Sequence, residues 1–271
     1  MRARGDFKNQ QFNILIVILS GAIVAYIAYP FITVLSFMET GELLESLTRP
    51  QVSNAFILSL ISSTISTLFL ILFGIPLAYC LARYNFKGKI LLQTIVILPL
   101  VLPPLASGAL LLGIFSPSSN IGEYFSSIEF TQSLVGIIIA QTYVSSPFMI
   151  LASQAAFESV DKSYEMVARV LGKSKIETFI LITLPLAKSG LIIGILLTWI
   201  RAIGELGATM MMSYNPHTIS IQIFEDNAIG GLHQAIPDII LVIILAIFAL
   251  SIISIINKKD TNSLKSTKWQ A

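Results

Sequence analysis

The sequence is poor in charged residues. Asp, Glu, Lys and Arg together make up 12% of its 271 residues, whereas a soluble domain of similar length carries about 25%. More than half of the residues, 55%, are hydrophobic. This composition argues against a soluble globular protein and favours one that lies in a membrane.

The chain also has little of the chemistry that enzymes use. Its one cysteine, Cys80, excludes a disulfide within the chain and leaves the redox compartment open. We interpret its two histidines, His217 and His233, as solvated loop residues because no third ligand lies near them in the sequence. No H-E-x-x-H or G-x-S-x-G motif occurs. The sequence therefore predicts no catalytic residue, no metal and no cofactor.

A nucleotide-binding loop is missing as well. Gly172-Lys173-Ser174 resembles the end of such a loop, but the motif needs a glycine five residues earlier, where this chain has Val167. The stretch also follows a predicted helix instead of a strand. If ATP drives this protein, a separate polypeptide must hydrolyse it.

The sequence is rich in apolar runs that are long enough to cross a bilayer. A helix needs about 20 apolar residues to span the hydrocarbon core. Six runs qualify: 12–38, 55–82, 90–115, 131–157, 189–212 and 236–256. Because a backbone in lipid must satisfy its own hydrogen bonds, these runs predict an all-α polytopic fold with six transmembrane helices. We divide the chain into an N-terminal part (1–53), a membrane core (54–256) and a tail (257–271).

The positive charges are distributed unevenly between these runs. Fifteen of the 17 Lys and Arg residues lie in the two tails or in the loops after the second and fourth runs. The positive-inside rule therefore places both termini and loop 161–185 in the cytoplasm of a cell-membrane protein. The opposite side holds Arg49 and is acidic. Its carboxylates form either a solvated rim or a docking surface: Glu39, Glu42, Glu45, Glu123, Glu129, Glu225, Asp226 and Asp238.

Loop 161–185 predicts a helix, a bend and a second helix. Asp161 is suited to cap the first helix and Gly172 to end it. Ser174 and Glu177 form a capping box for the second helix, which Leu184-Pro185 is expected to break before the fifth span. The first helix has an apolar stripe: Tyr164, Val167, Ala168 and Leu171. On this pattern alone, the loop is either a surface element that covers the bundle or a docking site.

The third run contains helix breakers in the middle of the membrane. Pro99, Pro103, Pro104 and Gly108 predict an interrupted helix, whose freed backbone groups need a neighbouring helix or a water-filled cavity. The break is either a hinge beside a translocation path or a kink that only aids packing.

The fifth run contains two charges. Arg201 and Glu205 are four residues apart, so they share a helix face and are expected to pair. Charges at this depth usually face the bundle interior and are functional candidates. The pair either lines a path or fixes helix packing. Gly204 and Gly207 would permit close helix approach beside it.

The spacing in loop 161–185 matches a known signature. Gly172 is followed by nine residues and then by Ile182-Thr183-Leu184-Pro185. Type I permeases of binding-protein-dependent ABC importers carry a signature of Glu-Ala-Ala, three residues, Gly, nine residues and then Ile-x-Leu-Pro. The stretch from Gly172 to Pro185 resembles the second half of this signature. The Glu-Ala-Ala positions hold Met166, Val167 and Ala168, with Glu165 one place earlier. The resemblance implies a helix that couples to an ATPase subunit through these residues: Tyr164, Glu165, Val167, Ala168, Leu171 and Gly172.

Two of the apolar runs resemble one particular branch of this permease family. PLVLPPLASG in the third run and RAIGELGATMMM in the fifth resemble the oxyanion branch of the family, with Leu206 in place of the usual phenylalanine. The stretch 214–235, which is suited to a short surface or re-entrant helix, is more similar to archaeal-type tungstate/molybdate permeases than to sulfate permeases. The resemblance implies a translocation path or gate at these residues: Pro99, Pro103, Pro104, Arg201, Glu205 and Gly207.

The resemblance implies the type I permease fold and the transmembrane subunit of an ATP-driven tungstate or molybdate importer. A sulfate/thiosulfate permease and a secondary transporter are the alternatives, although secondary transporters usually carry internal repeats, which the first and last three spans do not display. The implied partners are two copies of a cytoplasmic ATP-binding subunit, an extracytoplasmic substrate-binding protein, a second copy of the chain and the lipid bilayer. No nucleic acid is implied.

Overall fold

The computed structural model describes residues 2–37, 41 and 48–267. This part of the chain is helical and contains no strand, which confirms the predicted fold class. The elements are α1 (Arg2–Ser36), α2 (Pro50–Arg83), α3 (Lys89–Val101), α4 (Pro104–Phe115), α5 (Asn120–Tyr124), α6 (Leu134–Glu158), α7 (Lys162–Val170), α8 (Lys175–Thr178), a π-helical turn (Phe179–Thr183), α9 (Leu184–Ile203), α10 (Gly207–Met212) and α11 (Ile219–Thr267).

Six membrane crossings are compatible with these helices. Five segments are long and apolar enough to span a bilayer: Phe12–Val34, Pro50–Arg83, Leu134–Glu158, Lys175–Ile203 and Ile219–Ile256. The sixth crossing is the pair formed by α3 and α4, which are bent by 112° relative to each other. All six correspond to predicted apolar runs.

Helices α2, α6 and α9 pack together at the centre of the bundle. Gly190 and Gly194 bring α9 close to α6, because a Cβ added at these positions would lie 2.6 and 3.0 Å from the Cβ atoms of Ala156 and Ala152. Such small-residue contacts let helices approach closely in lipid, where apolar burial alone gives little driving force. The centre is therefore a rigid scaffold for the loop and for the broken spans.

The first helix lies apart from this centre. None of its residues in the segment Phe12–Val34 is buried, and it contacts the rest of the described chain mainly at α11. Its apolar side chains therefore face the surroundings of the subunit.

The prediction that Leu184-Pro185 breaks the helix is wrong. The π-helical turn joins α8 to α9, so Lys175–Ile203 forms one span. The N–H of Leu184 donates to the carbonyl of Phe179, five residues earlier. The wider turn requires no donor from Pro185 and spares its ring the clash with a carbonyl four residues back that a regular helix would impose.

The fifth and sixth spans differ from their predicted limits. In the fifth span, α9 ends at Ile203 and α10 begins at Gly207 after a non-helical link. The predicted helix over 189–212 is therefore interrupted. Helix α11 contains a bend at Gly231, where φ is +72°. The segment before this bend corresponds to the predicted surface or re-entrant helix.

Candidate functional site

Loop 161–185 has the predicted helix caps. The Ser163 N–H donates to the Asp161 carboxylate at 2.8 Å, and this hydrogen bond holds the pKa of Asp161 below its usual value. Gly172 ends the turn with φ of +86°. The Glu177 N–H donates to the Ser174 hydroxyl at 3.2 Å, and the Ser174 N–H donates to the Glu177 carboxylate at 2.8 Å, which completes the predicted capping box. These local hydrogen bonds fix the hairpin of α7 and α8 below α9.

The predicted apolar stripe of α7 is divided between two environments. Ala168 is buried against the bundle, whereas Tyr164, Val167 and Leu171 are exposed. Val170, which the stripe did not include, is 87% exposed, and Leu171 is 77% exposed. We call the four exposed side chains Tyr164, Val167, Val170 and Leu171 the apolar patch. Such a patch of apolar side chains on a helix is typical of a docking surface rather than of a cover for the bundle.

Glu165 lies on the opposite face of α7 from this patch. One carboxylate oxygen, Oε1, accepts hydrogen bonds from the Arg83 Nε at 2.8 Å and from the Thr183 hydroxyl at 2.9 Å. Arg83 also donates from Nη2 to the Val160 carbonyl at 2.9 Å. Glu165 therefore joins α7 to the end of α2 and to the π-helical turn. No sequence pattern pointed to Arg83 or Thr183 as partners of Glu165, because they lie 82 and 18 residues away from it.

Two of the three prolines of the third span lie at its break. Leu102 and Pro103 are extended, and Pro104 begins α4. A proline pushes the residue before it out of the helical region, and Pro103-Pro104 does so twice in succession. Pro99, by contrast, lies inside α3 and does not interrupt it.

The Arg201–Glu205 pair forms at the interruption of the fifth span. Arg201 Nη2 lies 2.6 Å from Glu205 Oε2, so the predicted pairing is confirmed. The two residues are not on one continuous helix, because α9 ends at Ile203 and Glu205 lies in the link. The other oxygen of Glu205 accepts a hydrogen bond from the Ala208 N–H at 2.8 Å. The Glu205 side chain is only 1% exposed and thereby holds the last turn of α9 against the first turn of α10.

The two broken spans contact each other through glycines. A Cβ at Gly207 would lie 2.8 Å from the Pro104 Cβ, and one at Gly108 would lie 2.7 Å from the Ala208 Cα. Helices α4 and α10 therefore pack with their backbones in close approach. The sequence predicted close helix approach at Gly204 and Gly207. Among the described residues, it is found at Gly207 and not at Gly204.

The carboxylates at the other end of the bundle are not all exposed, as a solvated rim would require. Arg49 lies 3.2 Å from Asp226 and 3.5 Å from Asp238, and both carboxylates are buried. Gln222 and Gln234 donate to Asp226 from either side of the bend in α11. A cavity of about 610 Å³ is lined by Arg49, Gln222, Asp226 and Gln234. Glu39, Glu42 and Glu45 lie outside the described residues.

His217 lies in a loop, as predicted, but it is only partly exposed. Its Nδ1 lies 3.1 Å from the Glu225 carboxylate, which also accepts a hydrogen bond from the Tyr214 hydroxyl. This hydrogen bond raises the pKa of Tyr214. His233 contacts the ring of Phe37 with a centroid separation of 6.0 Å. Sequence reasoning did not predict the contact of His217 with Glu225, because His217 lies in a loop and Glu225 lies on the helix that follows it.

Comparison with known proteins identifies close relatives over most of the chain. A probable molybdenum ABC transporter permease of Haloferax volcanii is 38% identical over 239 residues, which are 88% of each chain. The molybdate/tungstate transport system permease protein of Pyrococcus abyssi is 35% identical over 81% of this chain and 85% of its own. The sulfate transport system permease protein of Escherichia coli K12 is 32% identical over 67% of this chain and 66% of its own.

Solved structures share the fold. A bacterial alginate ABC transporter in complex with an alginate-bound periplasmic protein matches with a TM-score of 0.70 and 19% identity, over 90% of this chain and 93% of that one. The MetNI methionine ABC transporter in an inward-facing conformation matches with a TM-score of 0.57 and 15% identity, over 84% of this chain and 99% of that one. Residues 71–259 match the family described as binding-protein-dependent transport system inner membrane component. This chain belongs to that family and is a non-catalytic permease subunit of an ABC importer.

Proposed function

We propose that the oxyanion carried by this importer is tungstate or molybdate. The observation that carries the proposal is one cation, Arg201, fixed by a buried carboxylate beside the contact between the two broken spans. The names of the relatives with 35 and 38% identity support the same cargo. Sulfate is the second candidate, because the sulfate permease relative matches two thirds of the chain.

In this proposal Arg201 supplies a positive element to a passing dianion. Its guanidinium is partly exposed, whereas Glu205 is buried and pairs with it through one oxygen only. The other oxygen of Glu205 is bound by α10, so the pair changes whenever α9 and α10 move relative to each other. Pro103, Pro104 and Gly207 place α4 against the same junction and would act as the gate, while Pro99 would shape α3 next to it.

We further propose that the apolar patch docks on a cytoplasmic ATP-binding subunit. Val167, Val170 and Leu171 are spaced like the anchors of a helix that inserts into a groove. Force applied to α7 would reach the membrane through Glu165, because its carboxylate contacts both α2 and the π-helical turn that begins the fifth span. Ala168 and Gly172 would keep α7 at the right distance and angle.

The assembly proposed here has two copies of this chain, two ATP-binding subunits and one substrate-binding protein on the opposite side. A single chain has one docking helix, so two copies would match a symmetric pair of ATPase subunits. Both termini and loop 161–185 would lie in the cytoplasm, as the distribution of Lys and Arg indicates. ATP-driven closure of the ATPase pair would then shift the broken spans between two states.

The test measures accumulation of tungsten, molybdenum and radioactive sulfate in cells that lack their own oxyanion importers and express the complete transporter. We expect tungsten and molybdenum to accumulate. Arg201→Gln should abolish this uptake, Arg201→Lys should retain part of it, and both variants should still copurify with the ATP-binding subunit. Uptake of sulfate alone would favour the second candidate. Normal uptake by Arg201→Gln would refute the role of this residue.

A further inference from the structure

A second cavity, of about 290 Å³, lies where the end of α2 meets α7 and α8. Its charged lining consists of four cations and one carboxylate: Arg83, Lys162, Arg169, Lys175 and Glu165. We propose that this cavity binds a tetrahedral oxyanion, either the phosphate of an anionic lipid headgroup or a free oxyanion from solution. The site is separate from Arg201, which lies at the far end of α9.

The charges of this lining are unbalanced. Glu165 already accepts hydrogen bonds from Arg83 and Thr183 through one oxygen. In the described part of the chain, Lys162, Arg169 and Lys175 form no ion pair of their own. Cations gathered around one small cavity repel each other, although Lys162, Arg169 and Lys175 are exposed and solvent screens part of this repulsion. A bound dianion would remove this repulsion and would be held by charge-assisted hydrogen bonds.

Arg83 sets this cluster apart from ordinary cytoplasmic lysines and arginines. The positive-inside rule accounts for exposed cations near a membrane, but the side chain of Arg83 is only 5% exposed. Its Nε and Nη2 donate to Glu165 and Val160, whereas its buried Nη1 has no hydrogen-bond partner among the described residues. A buried charged donor without a partner is costly, and a group that binds beside it can lower that cost.

The size and chemistry of the cavity fit a small anion better than a larger ligand. Its volume lies at the low end of the range for ligand pockets, about 300 Å³. Arginine guanidinium groups match the geometry of phosphate oxygens with parallel hydrogen bonds, and lysines add point charges. The position at the end of the span Pro50–Arg83 makes the cavity accessible to a lipid headgroup as well as to a soluble ion.

The experiment uses the purified transporter complex in nanodiscs of phosphatidylcholine. Inorganic phosphate binding is measured by equilibrium dialysis, and phosphatidic acid binding is measured by native mass spectrometry in mixed nanodiscs. We expect saturable binding of at least one probe. Arg169→Gln should weaken it about tenfold, which is the loss expected for one charge-assisted hydrogen bond. Lys173→Gln is the matched control, because Lys173 lies in the same loop, pairs with Glu177 and does not line the cavity.

The possible outcomes distinguish the two sources. Phosphatidic acid binding that Arg169→Gln weakens, without such phosphate binding, assigns the site to a lipid headgroup, and the reverse result assigns it to a soluble oxyanion. If Arg169→Gln disturbs assembly, Lys162→Gln combined with Lys175→Gln provides the same test from the other walls of the cavity. Binding that neither Arg169→Gln nor the double lysine variant weakens would overturn the proposal. No saturable binding of either probe would overturn the proposal. An equal loss in Lys173→Gln would overturn it too, because the effect would then reflect the general charge of the loop.

Discussion

Two carboxylates connect different elements of this protein: Glu205 is buried, and Glu165 is half-buried. Glu205 holds Arg201 with one oxygen and the backbone of α10 with the other. Glu165 holds both Arg83 and Thr183 with a single oxygen. Each carboxylate thus has two partners on different elements, and its removal would leave a cation without its counterion in a poorly solvated place.

This arrangement predicts that Glu165→Gln weakens the link between loop and membrane. The neutral amide keeps the shape but loses the charge-assisted bond to Arg83, so we expect the free energy of unfolding to fall by about 1–3 kcal/mol. Uptake driven by ATP should fall with it. Thermal unfolding of the purified permease and uptake by the reconstituted complex measure the two effects. Glu158→Gln is the control, because Glu158 is exposed and, among the described residues, its side chain accepts a hydrogen bond from Gln154 on its own helix alone. Equal losses in both variants would contradict the prediction.

At the scale of elements, the contact between α4 and α10 is the unusual feature. Both helices are short, both follow a break in a span, and glycines on both allow their backbones to touch. Because the two backbones touch at glycines, few side chains at this junction can adjust when one helix shifts. A shift of one helix is therefore transmitted to the other, as in close-packed interiors generally. The junction is therefore suited to two discrete arrangements.

Adding a methyl group at this junction should separate the two helices. Gly108→Ala would place a Cβ 2.7 Å from Ala208, and Gly207→Ala would place one 2.8 Å from Pro104. We expect each to lower the free energy of unfolding by about 1–3 kcal/mol, the usual cost of overpacking, and to reduce uptake. Gly113→Ala on the same α4 is the matched control, because a Cβ there would meet no atom of the described residues outside its own helix backbone within 4 Å. The measurements are denaturation midpoints and uptake rates. Neutral behaviour of Gly108→Ala and Gly207→Ala would show that the junction is looser than the distances indicate.

At the scale of the whole molecule, apolar side chains are exposed along most of the described spans and also on loop 161–185. Helix α1 exposes apolar side chains along the bilayer-spanning segment Phe12–Val34, where lipid or another subunit can cover them. The apolar patch lies on α7 and its end, outside the segments that are long and apolar enough to span a bilayer, so the hydrocarbon core does not account for its exposure. A soluble partner is the simplest means of covering it.

A charge in the apolar patch should therefore prevent assembly without unfolding the subunit. Val170 and Leu171 are 87% and 77% exposed, so Val170→Asp and Leu171→Asp cost the isolated permease little. We expect copurification with the ATP-binding subunit to be lost. Ile229→Asp, at a similarly exposed position near the bend of α11, should leave it intact. Size-exclusion chromatography and ATPase assays measure the outcome, and undiminished copurification of both patch variants would exclude docking there.

The candidate site could be predicted in part because several of its features are local. The helix caps at Asp161, Gly172 and Ser174 depend on residues within a few positions, and the structure contains all of them. The Arg201–Glu205 pair spans four residues and was found for the same reason. The continuation of the helix through Pro185 was missed, because a π-helical turn depends on how the surrounding spans pack.

The sequence by itself determined the membrane class, the six apolar runs and the break at Pro103-Pro104, since hydropathy and proline act over short stretches of chain. Only the tertiary structure decided which groups meet. It brought Glu165 to Arg83, Arg49 to Asp226 and Asp238, and α4 to α10. These contacts join residues far apart in the chain, and their energies depend on packing and burial that no local pattern encodes.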